Sequence, residues 1–372
     1  MFYRQMPRLF AFYLPQYYPT KENNAWWGPG FTEWTNVSLA RPLFKGHFQP
    51  QIPGELGFYD LRLEQTRIDQ AKLAAEHGIE GFIYWHYWLD DHTRMLNLPY
   101  DQLMESGHPE FPFCLAWANH SWKGVFFGSN KVLVEQKYGG DDDYTKHFYF
   151  VLNAFKDKRY AKVGNKPIFY IFSPKLIPDC KHFTELWNSL AKKEGFIDGL
   201  HFIGEGIDLP NKEKYGLDAV SYTNHRKIAS YNVLNIKNKY LRYATWKLIK
   251  KRGLQVYEYA DAMKYFLNDK VTPENVYPSI VPNWDTTPRL GKNAVILNNS
   301  TPELFGKHVA QVLDSVKHKD AGNNIVFIKS WNEWAEGNYL EPSWKWGRAY
   351  LETLKTELEK HNEDKKYNEP IL

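Results

Sequence analysis

The sequence predicts a (β/α)8 barrel with long loops at the C-terminal ends of its strands. Three observations predict it. Short apolar runs alternate with longer helical patterns from end to end; there are eight such runs; and nearly every run ends in polar and aromatic residues suited to a ligand. In a barrel all those ends converge on one face, whereas a scattered fold gives them no reason to coincide. A doubly wound open sheet is the competitor, but its topological switch point is not visible in sequence.

The first strand runs from Arg8 to Leu14 and is closed by Pro15. A helix over Leu61 to His77 follows, with Asp60 placed to cap it and Gly78 to stop it. Gly81 to Trp88, Pro112 to Trp117, Pro167 to Phe172 and His201 to Gly204 are the next strands. Ala219 to Thr223, Ser279 to Asn283 and Asn324 to Lys329 complete the set. Helical patterns lie over Asp142 to Phe155, His182 to Glu194, Pro302 to His318 and Arg348 to His361. Barrels of this class typically need about 250 residues, so the surplus of a 372-residue chain must sit in loops. One is the Trp-, Pro- and Gly-rich stretch 16–59; the other is an insertion over 226–273. No repeat and no Pro/Gly/Ser linker divides the chain, so one catalytic domain over 1–372 is expected.

Composition narrows the function. Phe, Trp and Tyr make up 17% of the chain, with 14 Trp and 25 Tyr. Flat amphipathic rings in such numbers exceed the needs of a core and point to a cleft that binds by ring faces. A formal charge of +4 is too small to argue for nucleic acid. It conceals nine Lys or Arg, and no Asp or Glu, between Arg226 and Tyr257. Tyr240, Leu241, Tyr243 and Trp246 are interleaved there, which gives a basic amphipathic pattern able to touch anionic lipid or a lipid-linked glycan; a solvated helix face is the plainer reading. Two cysteines, Cys114 and Cys180, cannot build a disulfide framework. With no leader-like or membrane-spanning segment, a cytoplasmic and at most membrane-peripheral protein is expected.

Ser330-Trp331-Asn332-Glu333-Trp334-Ala335-Glu336-Gly337 follows the eighth strand and sets two carboxylates three residues apart. Glycosidic bond cleavage commonly uses two carboxyl groups whose pKa values are pushed apart by their surroundings. In a continuing strand a spacing of three puts side chains on opposite faces. The chain must therefore leave strand geometry near Asn332 to Trp334 for both to reach one substrate. A capping-box reading of Ser330 and Glu333 is the plain alternative, though a cap has no use for two Trp, an Asn and a second Glu.

These segments resemble a known family. Ala11-Phe12-Tyr13-Leu14-Pro15-Gln16-Tyr17-Tyr18-Pro19, then Trp26 to Val37 (Trp-Trp-Gly-Pro-Gly-Phe-Thr-Glu-Trp-Thr-Asn-Val), are similar to the WbsX-like proteins, labelled glycosyltransferases of surface-polysaccharide clusters. Asn283 to Arg289 and Trp331 to Gly337 are similar too, and the last segment also resembles glycoside hydrolase family 99, retaining endo-mannosidases and mannanases on a (β/α)8 barrel. The resemblance implies that Glu336 is the general acid/base. It implies that Glu333 deprotonates the sugar's own 2-hydroxyl, giving a 1,2-anhydro intermediate. It implies Glu33 as a substrate contact.

With that resemblance the aromatic excess has a use. Tyr13, Trp26, Trp27 and Trp34, then Trp85, Trp117, Trp122, Trp284 and Trp334, are candidate platforms for the C–H faces of sugars. His86, Asn119, His225, Asp285 and Asn332 are candidate hydroxyl partners. For each, core packing is the competing use. Arg289 reads as an i,i+4 partner of Asp285, or as a contact for an anionic substrate group. No metal or cofactor pattern appears, and Asp141-Asp142-Asp143 reads better as a helix start than as a D-x-D cation site. The expected function is a retaining glycoside hydrolase or transglycosylase acting on a bacterial-type surface polysaccharide, free or lipid-linked. A glycosyltransferase and a non-catalytic glycan-binding barrel are the alternatives.

Overall fold

The computed structural model of the chain describes residues 6–124, 131–228, 238–241, 243–244 and 253–367. Eight parallel strands close into a barrel. They are β1 (Arg8–Tyr13), β2 (Gly81–Asp90), β3 (Phe113–Trp117) and β4 (Lys166–Ile171), then β5 (His201–Glu205), β6 (Ala219–Tyr222), β7 (Val276–Ile280) and β8 (Ile325–Ile328). Closure is made at β1, which pairs in parallel with β2 on one side and with β8 on the other. The strands are buried on both faces, so they read as continuous apolar runs.

Strand alternation sorts the side chains. Phe12 points into the barrel, where its ring centroid lies 4.8 Å from Trp85, 5.2 Å from Tyr170 and 5.5 Å from Phe327. Tyr13, one residue on, must point the other way. It lies behind the wall, and its hydroxyl donates to Gln70 Oε1 (2.7 Å).

Helices pack around this ring. Within the long first loop lie α1 (Lys21–Trp27) and α2 (Glu33–Leu39), each capped by a threonine, Thr20 and Thr32. They are followed by α3 (Glu64–Glu76), α4 (Leu98–Ser106), α5 (Gly140–Lys156) and α6 (Cys180–Lys193), then α7 (Pro302–Val316) and α8 (Ala349–Tyr367). Asp60 does not cap α3, which starts after Leu63 without a side-chain cap; its carboxylate instead accepts from Arg62 N and Nε. The three aspartates open α5: Asp142 pairs with Lys146 (2.8 Å), Asp141 with His182 (2.7 Å), and Asp143 accepts from Trp88 Nε1 (3.0 Å). Cys114 and Cys180 are buried and unpaired.

The seventh strand lies earlier than its apolar run suggested, because Pro282 ends it and Trp284–Asp285 peel away. They join a small sheet with Gln255–Glu258 and Val295–Asn298, built over a second core of Tyr259, Phe266 and Leu297. Among the described residues no helix is long and apolar enough to cross a membrane. Of the basic stretch, 229–237, 242 and 245–252 lie outside the described residues, so the expected amphipathic helix does too.

Several histidines are sealed in this architecture as neutral rings. Burial lowers His86 and His308 to about 3, and pushes His147 well below its usual range. A neutral buried imidazole contributes stability that is full above the unfolded value of about 6.5 and is lost as pH falls toward the folded one. The stability gap between wild type and His308→Phe should therefore narrow by about 2 kcal/mol between pH 7 and pH 5. Urea unfolding at the two pH values measures it, and a constant gap contradicts it.

Candidate active site

A cleft of about 700 Å³ opens at the C-terminal ends of the strands. Its floor is the barrel's last aromatic layer, Trp85 stacked on Phe12 with an interplanar angle of 19°. Lys329, at the end of β8, hangs its ammonium over these rings, 5.2 Å from Phe12 and 4.7 Å from Trp85. The walls include Gln16, Tyr87, Trp122, Phe172, Glu205 and His225, with Trp284, Arg289 and the carboxylates Glu33, Glu333 and Glu336.

Both glutamates reach the cleft because the chain turns sharply. Asn332–Glu333 pairs antiparallel with Asn338–Tyr339, and a 3-10 turn over Trp334–Glu336 joins them. Strand geometry thus ends where the spacing required. The turn needs Gly337: its φ is +54°, and a Cβ there would lie 2.7 Å from Asp285 Cβ and backbone. No α-helix starts at Ser330, whose hydroxyl instead donates to Asn338 Oδ1 (3.1 Å).

The hairpin is stitched to β1. Leu14 N donates to Asn332 Oδ1 (2.7 Å), and Asn332 Nδ2 donates to Leu14 O (3.1 Å). Tyr17 donates its hydroxyl proton to Asn332 O (2.5 Å) and accepts from Trp334 N (3.0 Å). Trp334 is fully buried, stacked 3.7 Å from Tyr339, and its Nε1 donates to Glu341 (2.6 Å). Glu341 also accepts from Gln70 Nε2 (2.6 Å) and Tyr59 OH (2.9 Å), and burial still pushes it up to about 7.

The two cleft glutamates have unlike surroundings. Glu333 lies 3.6 Å from Lys329, yet burial, opposed by that lysine and reinforced by Glu336, raises it to about 7. Glu336 receives a hydrogen bond from Arg289 Nη1 (2.5 Å). The same guanidinium reaches Glu33 through Nη2 (3.2 Å) and Nε (3.4 Å). Burial opposes the charge on Arg289, but Glu33, Glu336 and Glu333 hold it on. Burial also raises Glu33 and Glu205, against Arg289 and Lys329 respectively. The i,i+4 pairing of Arg289 with Asp285 is thus corrected: Asp285 is taken by His47 Nε2 (2.8 Å) and Gln49 Nε2 (2.6 Å).

Of the residues singled out in the sequence, Glu33, Trp85, Trp122, His225, Trp284, Arg289, Glu333 and Glu336 line the cleft. The other candidate contacts are not part of its lining. Tyr13 faces α3. Trp34 Nε1 donates to Tyr59 O (2.8 Å), and its ring packs 4.5 Å from Tyr17. His86 and Trp117 alternate to the outer face of the barrel, where His86 Nε2 meets His147 Nε2 (2.9 Å) and Trp117 Nε1 donates to Trp88 O (2.9 Å). Asn119 bridges strand ends, bonding Ser173 N (2.7 Å) and Ser173 O (2.8 Å). Trp26 and Trp27 are half-buried, Trp26 against the main core. Asp285, Asn332 and Trp334 serve the hairpin and its neighbours as described above. Lys329 escaped notice in the sequence, although a lysine ending an apolar strand four residues before a catalytic-type glutamate is a usable signal. Among the described residues no cluster of His, Cys, Asp or Glu could hold a metal ion.

A family profile described as Glycosyltransferase WbsX matches residues 9–354. Two curated relatives, both named uncharacterized protein WxcX, come from Xanthomonas campestris pv. campestris strains B100 and ATCC 33913. Each is 32% identical over 354 residues, which is 94% of this chain and 49% of the relative. The chain thus spans about half the length of the curated relatives it matches. Among solved structures, a GH99 endo-alpha-mannosidase from Bacteriodes thetaiotaomicron, in complex with Bis-Tris propane, aligns with a TM-score of 0.59 at 14% identity, covering 97% of this chain and 99% of that one. A glycoside hydrolase-like protein aligns with a TM-score of 0.56 at 15% identity, covering 95% and 94%. At such identity the likeness concerns the fold.

Proposed function

Because this chain belongs to the Glycosyltransferase WbsX family of carbohydrate-active proteins, we propose that it is a retaining glycoside hydrolase or transglycosylase of a bacterial-type surface polysaccharide, acting as one (β/α)8 catalytic unit. The observation that carries this reading is Glu333 and Glu336 facing one aromatic-floored cleft with their surroundings set apart, Glu333 at about 7 and Glu336 on Arg289. A base near 7 suits removal of a hydroxyl proton. Glu333 takes the proton of the sugar's 2-hydroxyl while O2 attacks the anomeric carbon. The bond from that carbon to the leaving oxygen breaks, and protonated Glu336 supplies the leaving oxygen's proton. The 1,2-anhydro sugar is then opened at the anomeric carbon by an acceptor hydroxyl, whose proton returns to Glu336 while Glu333 gives its proton back to O2. To act as an acid Glu336 must shed Arg289, which retains Glu33 as its partner. Two inversions at one carbon give net retention.

With water as acceptor the outcome is hydrolysis; with a sugar hydroxyl it is chain building, which reconciles the family's name with a two-carboxylate site. A cytoplasmic location fits the synthetic direction. The test is a screen of bacterial polysaccharide fragments with product analysis by NMR, where a retained anomer is expected and an inverted one overturns the mechanism. Calorimetry with nucleotide sugars, with and without manganese, tests the transferase alternative, since metal-dependent binding would favour it. The ionised base also predicts a pH limb: kcat/KM should fall about tenfold per unit below pH 7. A limb at ordinary carboxylate values removes Glu333 from that role.

A further inference from the structure

The charges that line the cleft divide into two groups. On the side built from β7, β8 and the loop after β1, each cation already faces a carboxylate: Arg289 is bonded to Glu33 and Glu336, and Lys329 lies beside Glu333. Two further cations, Lys123 and Arg226, line the same cleft and are exposed. Neither has an ion pair among the described residues. Lys123 follows β3 and Arg226 follows β6, strands three apart around the ring. The segments next to them in sequence, 125–130 and 229–252, contain no Asp or Glu to neutralise them.

The histidines next to these cations add no negative charge of their own. His120 is kept neutral by burial and then by Lys123 and Lys329, and His225 by burial and then by Lys329 and Arg226. Each cation thus stands beside a histidine, His120 or His225, that lines the cleft with it. Glu205, the remaining carboxylate of the lining, lies beside Lys329 and makes no ion pair with Lys123 or Arg226 among the described residues. A cleft serving a purely neutral glycan has no use for two cations without ion partners among the described residues, whereas oxyanions on a glycan would meet them with charge-assisted hydrogen bonds.

We propose that the glycan held in this cleft is acidic, bearing carboxylate or phosphate groups, and that Lys123 and Arg226 receive those groups on either side of the reacting sugar. The proposal rests on the glycan-active reading and specifies its substrate class. Arg226 supplies a forked, planar donor set suited to two oxygens, and Lys123 a mobile point charge. Binding should accordingly weaken as salt is raised.

The test uses the whole chain and follows quenching of its tryptophans, since Trp85, Trp122 and Trp284 line the cleft. One pair of probes is a mannuronate hexasaccharide and the same hexasaccharide with its carboxyls reduced to alcohols. The other is phosphorylated oligomannose before and after phosphatase. An acidic probe is expected to bind about tenfold more tightly than its neutral counterpart, and the pair that shows this identifies the anion. In the Lys123→Gln/Arg226→Gln variant the preference should shrink to within about twofold at an unchanged Tm. Equal binding within both pairs, binding of neither acidic probe, or a preference that survives the double substitution overturns the proposal. Glu333-dependent turnover of neutral glycans without acid preference would defeat only this proposal. An acidic glycan bound through Lys123 and Arg226 but never turned over would defeat the catalytic reading instead.

Discussion

Glu333→Gln is expected to lower turnover by about 10³-fold while leaving the fold intact, because a positioned acid or base contributes roughly that much. The amide keeps the size of the side chain and relieves a carboxylate whose burial beside Glu336 already disfavours its charge, so Tm should hold or rise. Glu336→Gln is expected to be equally damaging on a natural glycan, for a different reason: the leaving oxygen loses its proton donor. The two variants separate on a substrate with an activated leaving group, such as a nitrophenyl glycoside, which departs without help. Glu336→Gln should then recover to within about tenfold of wild type in the first step, and Glu333→Gln should not. The reverse pattern exchanges the roles. Wild-type turnover in both variants means that neither residue is catalytic.

Trp334→Ala is expected to cost about 3–5 kcal/mol of stability, the usual result of truncating a fully buried tryptophan. The ring stacks on Tyr339 and packs 5.7 Å from Trp34, and its Nε1 is one of the donors that satisfy the buried Glu341. Removing it opens a cavity under the hairpin that carries Glu333 and Glu336 and takes a donor from a buried acid at once. Thermal unfolding should show a clear fall in Tm together with lost activity, and Trp334→Phe should recover part of both by restoring the stack. A sugar platform behaves otherwise: Tm stays and KM rises. That second outcome would return Trp334 to the cleft wall.

The fold was legible because buried parallel strands must be apolar throughout, and eight such runs with helical spacers admit few closed arrangements. The placing of the two glutamates was legible for a related reason: a spacing of three forced a turn for both to face one cleft, and the turn is there at Trp334–Glu336. What sequence could not separate was the inward from the outward residue at a strand end. Trp85 and His86 are neighbours with equal claims, and one step of the pleat sends the first to the cleft floor and the second to a helix-facing histidine pair. Asn332, Trp334 and Asp285 carry ligand-binding chemistry in their side chains, yet spend it on backbone, Glu341 and His47. The partner of Arg289 was also out of reach, since Glu33 lies 256 residues away in the chain. Local spacing favoured Asp285, and a distant loop won.

The stitch between Leu14 and Asn332 joins residues 318 positions apart. Contacts of such separation form late, because the loop they close is entropically costly until the intervening ring is in place. Neither Glu333 nor Glu336 has its support until the first and last strands have met. While the chain is being made, every shorter intermediate is therefore an open sheet in which the two carboxylates lack that support. With the proposed roles of Glu333 and Glu336, catalytic competence and completion of the ring become one event, and the appearance of turnover during refolding should report the moment at which β8 docks beside β1.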